Sequence, residues 1–163
     1  MNAYEAIVTK RDTRRYADRP IEAETMQRLL QAGRMAGSSK NTQPVRFVLI
    51  QKPERLAEIA KCGHFAEHLA SAPAAIAVVL EPDGGSFDAG RAAQNIMVAA
   101  WGEGITSCPT SMHERECARE GLGLPEGHEL AIVLALGYPQ AGTRLGAGRA
   151  RLPLEELVHE EHW

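Results

Sequence analysis

No surplus of positive charge marks this chain: 18 lysines and arginines face 21 aspartates and glutamates, for a formal charge of -3. That excludes a general nucleic-acid partner, since neutralising a phosphate backbone requires a basic surface. It leaves room for a local basic pocket around one phosphate. No uncharged apolar run approaches the roughly 18 residues of a membrane-spanning helix, so no membrane partner is expected. The start, MNAYEAIVTKRD, lacks the apolar core of a secretory leader, and a cytoplasmic location is expected. Cysteine is scarce as well. Cys62, Cys108 and Cys117 are an odd number at no framework spacing, and reduced cytosolic thiols are the expectation. Neither G-x-G-x-x-G nor G-x-x-x-x-G-K-[ST] occurs, which argues against a Rossmann dinucleotide site. There is no internal repeat and no low-complexity segment.

What is present suits one domain. A chain of 163 residues with 44% hydrophobic and 24% charged residues can bury a core without staples, and a single domain over 1–163 is expected. Helices are predicted over Tyr4 to Thr9 and Glu22 to Met35. In the second, Met26, Leu29, Leu30 and Ala32 or Gly33 have the three-four spacing of a buried stripe. Val45 to Ile50 and Ala74 to Leu80 are continuous β-rich runs, expected as strands buried on both faces. Further helices are predicted at Glu54 to Lys61, Phe65 to Ala70, Phe87 to Glu103 and Glu114 to Glu120. The alanine-rich helix from Phe87 is expected to be central. Strands are predicted at Ile105 to Cys108 and Leu130 to Leu136. Strands and helices mix without regular βαβ repetition, so the fold class is α+β, with a mixed central sheet flanked by helices.

Three polar clusters are candidates for chemistry. Lys10, Arg11, Arg14 and Arg15 crowd around one acid, Asp12; cations this dense call for an anion or for carboxylate partners. Ser38 to Pro44 (SSKNTQP) gathers hydroxyls and amides in a loop, suited to the polar edge of a ligand or to ordinary turn chemistry. Arg149 and Arg151 alternate in RARLP and would point the same way on an extended chain, where guanidinium forks match phosphate oxygens. Each basic cluster alone fits a solvated face equally well. Together, at opposite ends of an acidic chain, they suggest one anionic ligand gripped by distant segments.

These residues resemble motifs of the FMN-dependent nitroreductases. The opening basic motif is matched by Lys10 to Tyr16, and the serine-asparagine loop by Gly37 to Val45. Asp88 to Ile96 matches the central-helix motif, Gly137 to Pro139 a late G-Y-P, and Arg149 to His159 the closing R-x-R-x-P-L-E-E motif. Lys10 stands where the family usually has arginine, Asp12 where serine is commonest, and Val45 where tryptophan is usual. The likeness is to a small member with little lid, because only Glu81 to Ser86 separates a strand from the central helix.

The resemblance implies an intertwined homodimer that binds FMN and passes electrons from NADH or NADPH to a nitroaromatic, quinone or similar acceptor. It implies that Lys10, Arg11, Asp12, Arg149 and Arg151 hold the phosphate and ribityl chain. Asp12 would accept from a ribityl hydroxyl or orient an arginine, and Arg14 would lie near flavin N1 and O2. Ser38, Ser39, Asn41 and Gln43 would reach across the dimer, and a Pro109-Thr110-Ser111 turn would touch the flavin near N5. The flavin carries the bond chemistry, so no side chain is expected to be an essential nucleophile or base.

Two other readings compete. The aspartate in the first motif is also similar to the family branch that fragments flavin to dimethylbenzimidazole. His64, Glu67 and His68 match the H-x-x-E-H of inverted zinc peptidases, which would make the chain a zinc hydrolase.

Overall fold

The apolar run Ala74–Leu80 (β2) sets the architecture. Every residue in it is buried, so each face of the strand must be covered. The computed structural model, which describes residues 1–146 and 150–163, places β2 inside a four-stranded sheet. With β1 (Val45–Ile50), β3 (Thr106–Thr110) and β4 (Glu129–Gly137), the strand order is β1-β2-β4-β3. All three ladders are antiparallel. The parallel component expected of a mixed sheet is a single isolated bridge between Asp12 and Ser107. β2 and β3 themselves run in the same direction, with β4 inserted between them.

The alternation of strand side chains divides the core in two. Ile76, Val78, Leu134 and Leu136 point into one cluster, shared with α2 (Ala23–Arg34) and α4 (Ser86–Gly102). Ala75, Ala77, Val133 and Ala135 point into the other, with Leu56 and Ile59 of α3 (Pro53–Ala60) and with Tyr16, Ala66 and Leu69. Each fully buried aliphatic side chain contributes roughly 1.5–3 kcal/mol. The expectation that β1 is buried on both faces is corrected: it is an edge strand, with Arg46 and Leu49 exposed. Among the described residues it pairs only with β2, so one edge of its backbone stays unpaired in a single chain.

The alanine-rich α4 is central, as its small residues require. Ala89, Ala92, Ala93, Ile96 and Ala100 face the core. Gly33 of α2 lets the helices meet: a Cβ there would lie 2.8 Å from both Ile96 Cδ1 and Phe47 Cζ. α1 (Ala3–Thr9) starts at a capping box between Asn2 and Glu5. It is tied to α4 by Trp101 Nε1–H, which donates to Thr9 Oγ1 at 2.9 Å. The helix expected at Phe65 to Ala70 is instead a 3-10 turn over Glu67–Ser71, cut short before Pro73. α5 (Arg115–Leu122) and a short α6 (Leu154–Leu157) complete the set.

The cysteines depart from expectation. Cys62, just past α3, and Cys117, on α5, form a disulfide across 55 residues with Cα atoms 5.6 Å apart. Cys108 is free and buried. The expectation of three reduced thiols fails because α3 and α5 pack side by side, which spacing along the chain does not reveal.

Candidate functional site

After α1 the chain turns extended and lies along the sheet. Lys10 ends the helix with φ -54° and ψ 132°. Asp12 then bridges to Ser107 of β3, and Thr13 N–H donates to the Ser107 carbonyl at 3.3 Å. Further on, Tyr16 bridges to Pro139, and Ala17 N–H donates to the Tyr138 carbonyl at 2.8 Å. The basic segment is thus pinned between the start of β3 and the end of β4. Tyr16 is its peg: it is buried, and its hydroxyl donates to the Thr13 carbonyl at 2.9 Å. Burial, and then the nearby Cys108 and Asp12, push the tyrosine pKa upward against Arg14, so it stays a neutral phenol.

The charges in this segment are unequally used. Lys10 forms an ion pair with Asp12, and its Nζ also lies 3.6 Å from Met97 Sδ. Asp12 therefore holds a lysine rather than an arginine, with Ser107 Oγ 3.5 Å away. Arg11 folds over the end of α1, where Nη1 donates to the carbonyls of Val8 (3.1 Å) and Lys10 (2.8 Å). Gly146, at φ 108°, packs on it; a Cβ there would come within 3.2 Å of Arg11 Nε. Among the described residues, no carboxylate forms a salt bridge with Arg11, Arg14 or Arg151. Arg149 lies outside the described residues.

The Pro109-Thr110-Ser111 segment is not a turn. β3 continues to Thr110, which pairs with Val133, and only Ser111 lies beyond it. Buried Thr110 Oγ1 donates to the Cys108 carbonyl at 3.2 Å and lies 2.9 Å from His68 Nε2. Beside this pair, Arg14, His64, Phe65, Glu67 and His68 line an open cavity of about 420 Å³. The loop from Ser38 to Gln43 lies elsewhere. Gln43 N–H donates to Ser38 Oγ at 2.8 Å, and Lys40, Asn41 and Gln43 adopt left-handed φ values of 51°, 56° and 52°. Ser38 and Gln43 border a larger cavity of about 910 Å³ with α2 and β1. Ser38 and Gln43 line a different cavity from Arg14, and among the described residues no hydrogen bond joins this loop to Lys10, Arg11, Asp12 or Arg14. One chain does not bring the two halves together.

The nitroreductase family model matches residues 7–84 and 63–138, which include the basic segment, the loop, the sheet and α4. The chain belongs to the nitroreductase family. It is an oxidoreductase of that type. A protein of Archaeoglobus fulgidus, provisionally named an NADH dehydrogenase/NAD(P)H nitroreductase, is 32% identical over 96% of both chains. An NADPH-flavin oxidoreductase of Vibrio harveyi is 28% identical over 99% of this chain and 75% of its own. A solved structure from Parabacteroides distasonis, with the same provisional name as the first, superposes with a TM-score of 0.90. It is 26% identical, with full coverage of both chains.

Within this nitroreductase the zinc reading fails on geometry. The 64–68 segment is not an α-helix: His64 stacks on His113 at 4.4 Å, while His68 turns inward to Thr110. Among the described residues, no group of three or more His, Cys, Asp or Glu side chains is placed to hold a metal ion.

Sequence reasoning weighed His68 only as a zinc ligand and missed its contact with Thr110 beside Arg14, because those residues are 42 and 54 positions away. Burial lowers its pKa, Arg14 lowers it further, and a backbone hydrogen bond at Phe65 opposes both. An unfolded His68 takes up a proton as pH falls through about 6.5, whereas the folded one resists to lower pH. The unfolded state then binds more protons, so stability is fully present above that value and declines below it. Urea midpoints measured from pH 7.5 to 5 should fall less steeply for His68→Gln than for the parent. Parallel profiles would mean that His68 is not held neutral.

Proposed function

We propose that this nitroreductase is a homodimeric, cytoplasmic enzyme that binds FMN and uses NADH or NADPH to reduce a nitroaromatic, quinone or similar acceptor. The observation that carries the reading is the set of arginines without carboxylate partners, among the described residues, on a segment bonded to β3. The residues fit the cofactor: Arg11, packed against Gly146 and anchored through Nη1 to the Val8 and Lys10 carbonyls, and Arg151 would turn guanidinium groups without carboxylate partners among the described residues to a terminal phosphate. Arg149, placed beside Arg151 by the sequence alone, joins them. FMN supplies hydride and electron transfer when bound.

The side chains position and tune. Lys10 and Asp12 neutralise one another, so Lys10 holds Asp12 in place as an acceptor for a ribityl hydroxyl rather than adding net charge to the phosphate site. Arg14, beside the 420 Å³ cavity, supplies positive charge that favours an anionic reduced ring. Pro109, Thr110 and Ser111 present the end of β3 to that ring, with Thr110 fixed by His68. Ser38, Ser39, Asn41 and Gln43 border a separate cavity or lie in its loop, which supports their serving the neighbour's flavin in the dimer. The arginines suit a terminal monophosphate, and the short segments between elements offer no obvious subsite for an adenosine, which favours FMN over FAD. Flavin released by heat and separated by chromatography should be FMN, and mainly FAD would contradict the assignment.

A shared site makes dimerisation and flavin binding interdependent, because a ligand bound only by the dimer stabilises it by mass action. Sedimentation of the apo and FMN-loaded protein should show dimer dissociation shifted to lower protein concentration by the cofactor. A monomer at micromolar concentration with full FMN affinity would refute the shared site.

A further inference from the structure

Two segments meet beside the Arg14 cavity, and several independent bonds hold them together. One runs from Cys62 to His68 and supplies four of the cavity's lining residues. The other runs from Thr110 to Cys117 and continues β3 directly into α5. Glu114 N–H donates to the Cys62 carbonyl at 2.9 Å, and His64 N–H donates to His113 Nδ1 at 3.1 Å. The rings of His64 and His113 stack, and Phe65 packs edge-on against His113 at 5.7 Å. Gly63 sits against Ser111, whose carbonyl oxygen would lie 3.1 Å from an added Cβ. The Cys62–Cys117 disulfide is the covalent member of this seam.

We propose that the Cys62–Cys117 pair is a redox clamp, closed as a disulfide to hold His64 and Phe65 at the mouth of the cavity and opened by a dithiol reductant. Phe65 is 71% exposed, so no core packing holds it in place. Its position depends on the loop that the clamp fixes. The sulfurs differ in access: Cys62 is 2% exposed, whereas Cys117 lies on the exposed side of α5. A reductant thiolate attacks Cys117 Sγ, the S–S bond breaks, and Cys62 leaves as a thiolate. The reductant's second thiolate then displaces Cys117 and closes its own disulfide. Two electrons and two protons pass to the protein, and the dithiol is oxidised by the same amount. In a reducing compartment disulfides are usually transient and regulatory, which is the behaviour a clamp requires. The substrate opening and the reducing compartment rest on the proposed function; the hold of the Cys62–Cys117 bond on residues 62–68 does not.

The test begins with aerobically purified full-length chain, denatured and titrated for thiols. One thiol is expected before reduction, Cys108, and all three after it. Hydrogen exchange of the folded protein should then be compared oxidised, reduced and as Cys117→Ser. At short exchange times, before the core amides of β2 and β4 exchange, exchange across residues 62–68 should rise by about tenfold or more in both open forms, and reoxidation should reverse it. In steady state both open forms should show KM for nicotinamide nucleotide or acceptor raised by about threefold or more, at nearly constant kcat. Three free thiols at the outset would overturn the clamp, as would unchanged exchange; unchanged KM with raised exchange would instead overturn the cavity as a substrate opening. A bond that survives about 5 mM of a small dithiol such as dithiothreitol in the folded protein, the mark of a permanent staple, would also overturn the clamp. A chain that purified without flavin would refute the proposed function instead, and the thiol and exchange results would still decide the clamp.

Discussion

Breaking the Cys62–Cys117 bond is expected to lower the free energy of unfolding by about 2–4 kcal/mol. The bond closes a ring across 55 residues that contains β2, α4 and β3, the centre of the fold. Loop-closure entropy for a ring of that length amounts to about 4 kcal/mol, and measured effects fall at or below such values. For a domain of this size that corresponds to a drop in melting temperature of roughly 5–15 °C. Cys117→Ser is the better variant, because Cys62 is buried and a hydroxyl there would add a desolvation cost of its own. Melting curves of the oxidised parent, the reduced parent and Cys117→Ser should place the last two together and well below the first. A shift of under about 2 °C in both would mean that the closed ring contributes nothing to folding.

Arg11→Ala should weaken FMN binding by about ten- to a hundredfold. A charged hydrogen bond to a phosphate contributes roughly 1.5–3 kcal/mol, and each 1.4 kcal/mol is about a factor of ten in affinity. Arg11 uses one nitrogen, Nη1, on the carbonyls of Val8 and Lys10, which fixes the fork over the end of α1. Among the described residues no carboxylate competes for it. Arg11→Lys keeps the charge but loses the planar fork, so its affinity should fall between alanine and the parent. Fluorescence titration of the apoprotein with FMN reads all three, and identical dissociation constants would remove Arg11 from the site. The same titration of Arg149→Ala tests the partner that the sequence alone supplies.

Much of the fold was legible because it is written in short-range patterns. The runs VRFVLI and AAIAVVL occupy β1 and β2 with the boundaries that their apolar residues suggest. The alanines of α4 follow from the need for close helix approach, met where Gly33 admits Ile96. The 3-10 turn at Glu67–Ser71 was harder: its composition suits a helix, and the approach to Pro73 shortens it. β1 was misjudged for a different reason. An apolar run does not say whether its second face meets a helix, and the strand order leaves β1 at an edge.

The candidate site divides in the same way. By itself the sequence determined the family, and it singled out as candidates the basic segment from Lys10 to Arg15, the Ser38 to Pro44 loop and the closing arginines, since each motif is contiguous. Only the tertiary structure decided that Asp12 is taken by Lys10, that Thr110 is held by His68 beside Arg14, and that the loop lies apart from the basic segment. The pairing of Cys62 with Cys117 belongs to the structure as well. Apart from the Lys10–Asp12 pair, such contacts join residues tens of positions apart. They exist because α3, the Glu67–Ser71 turn and α5 pack together beside the sheet, and backbone propensity along the chain carries no record of which distant elements will be gathered there.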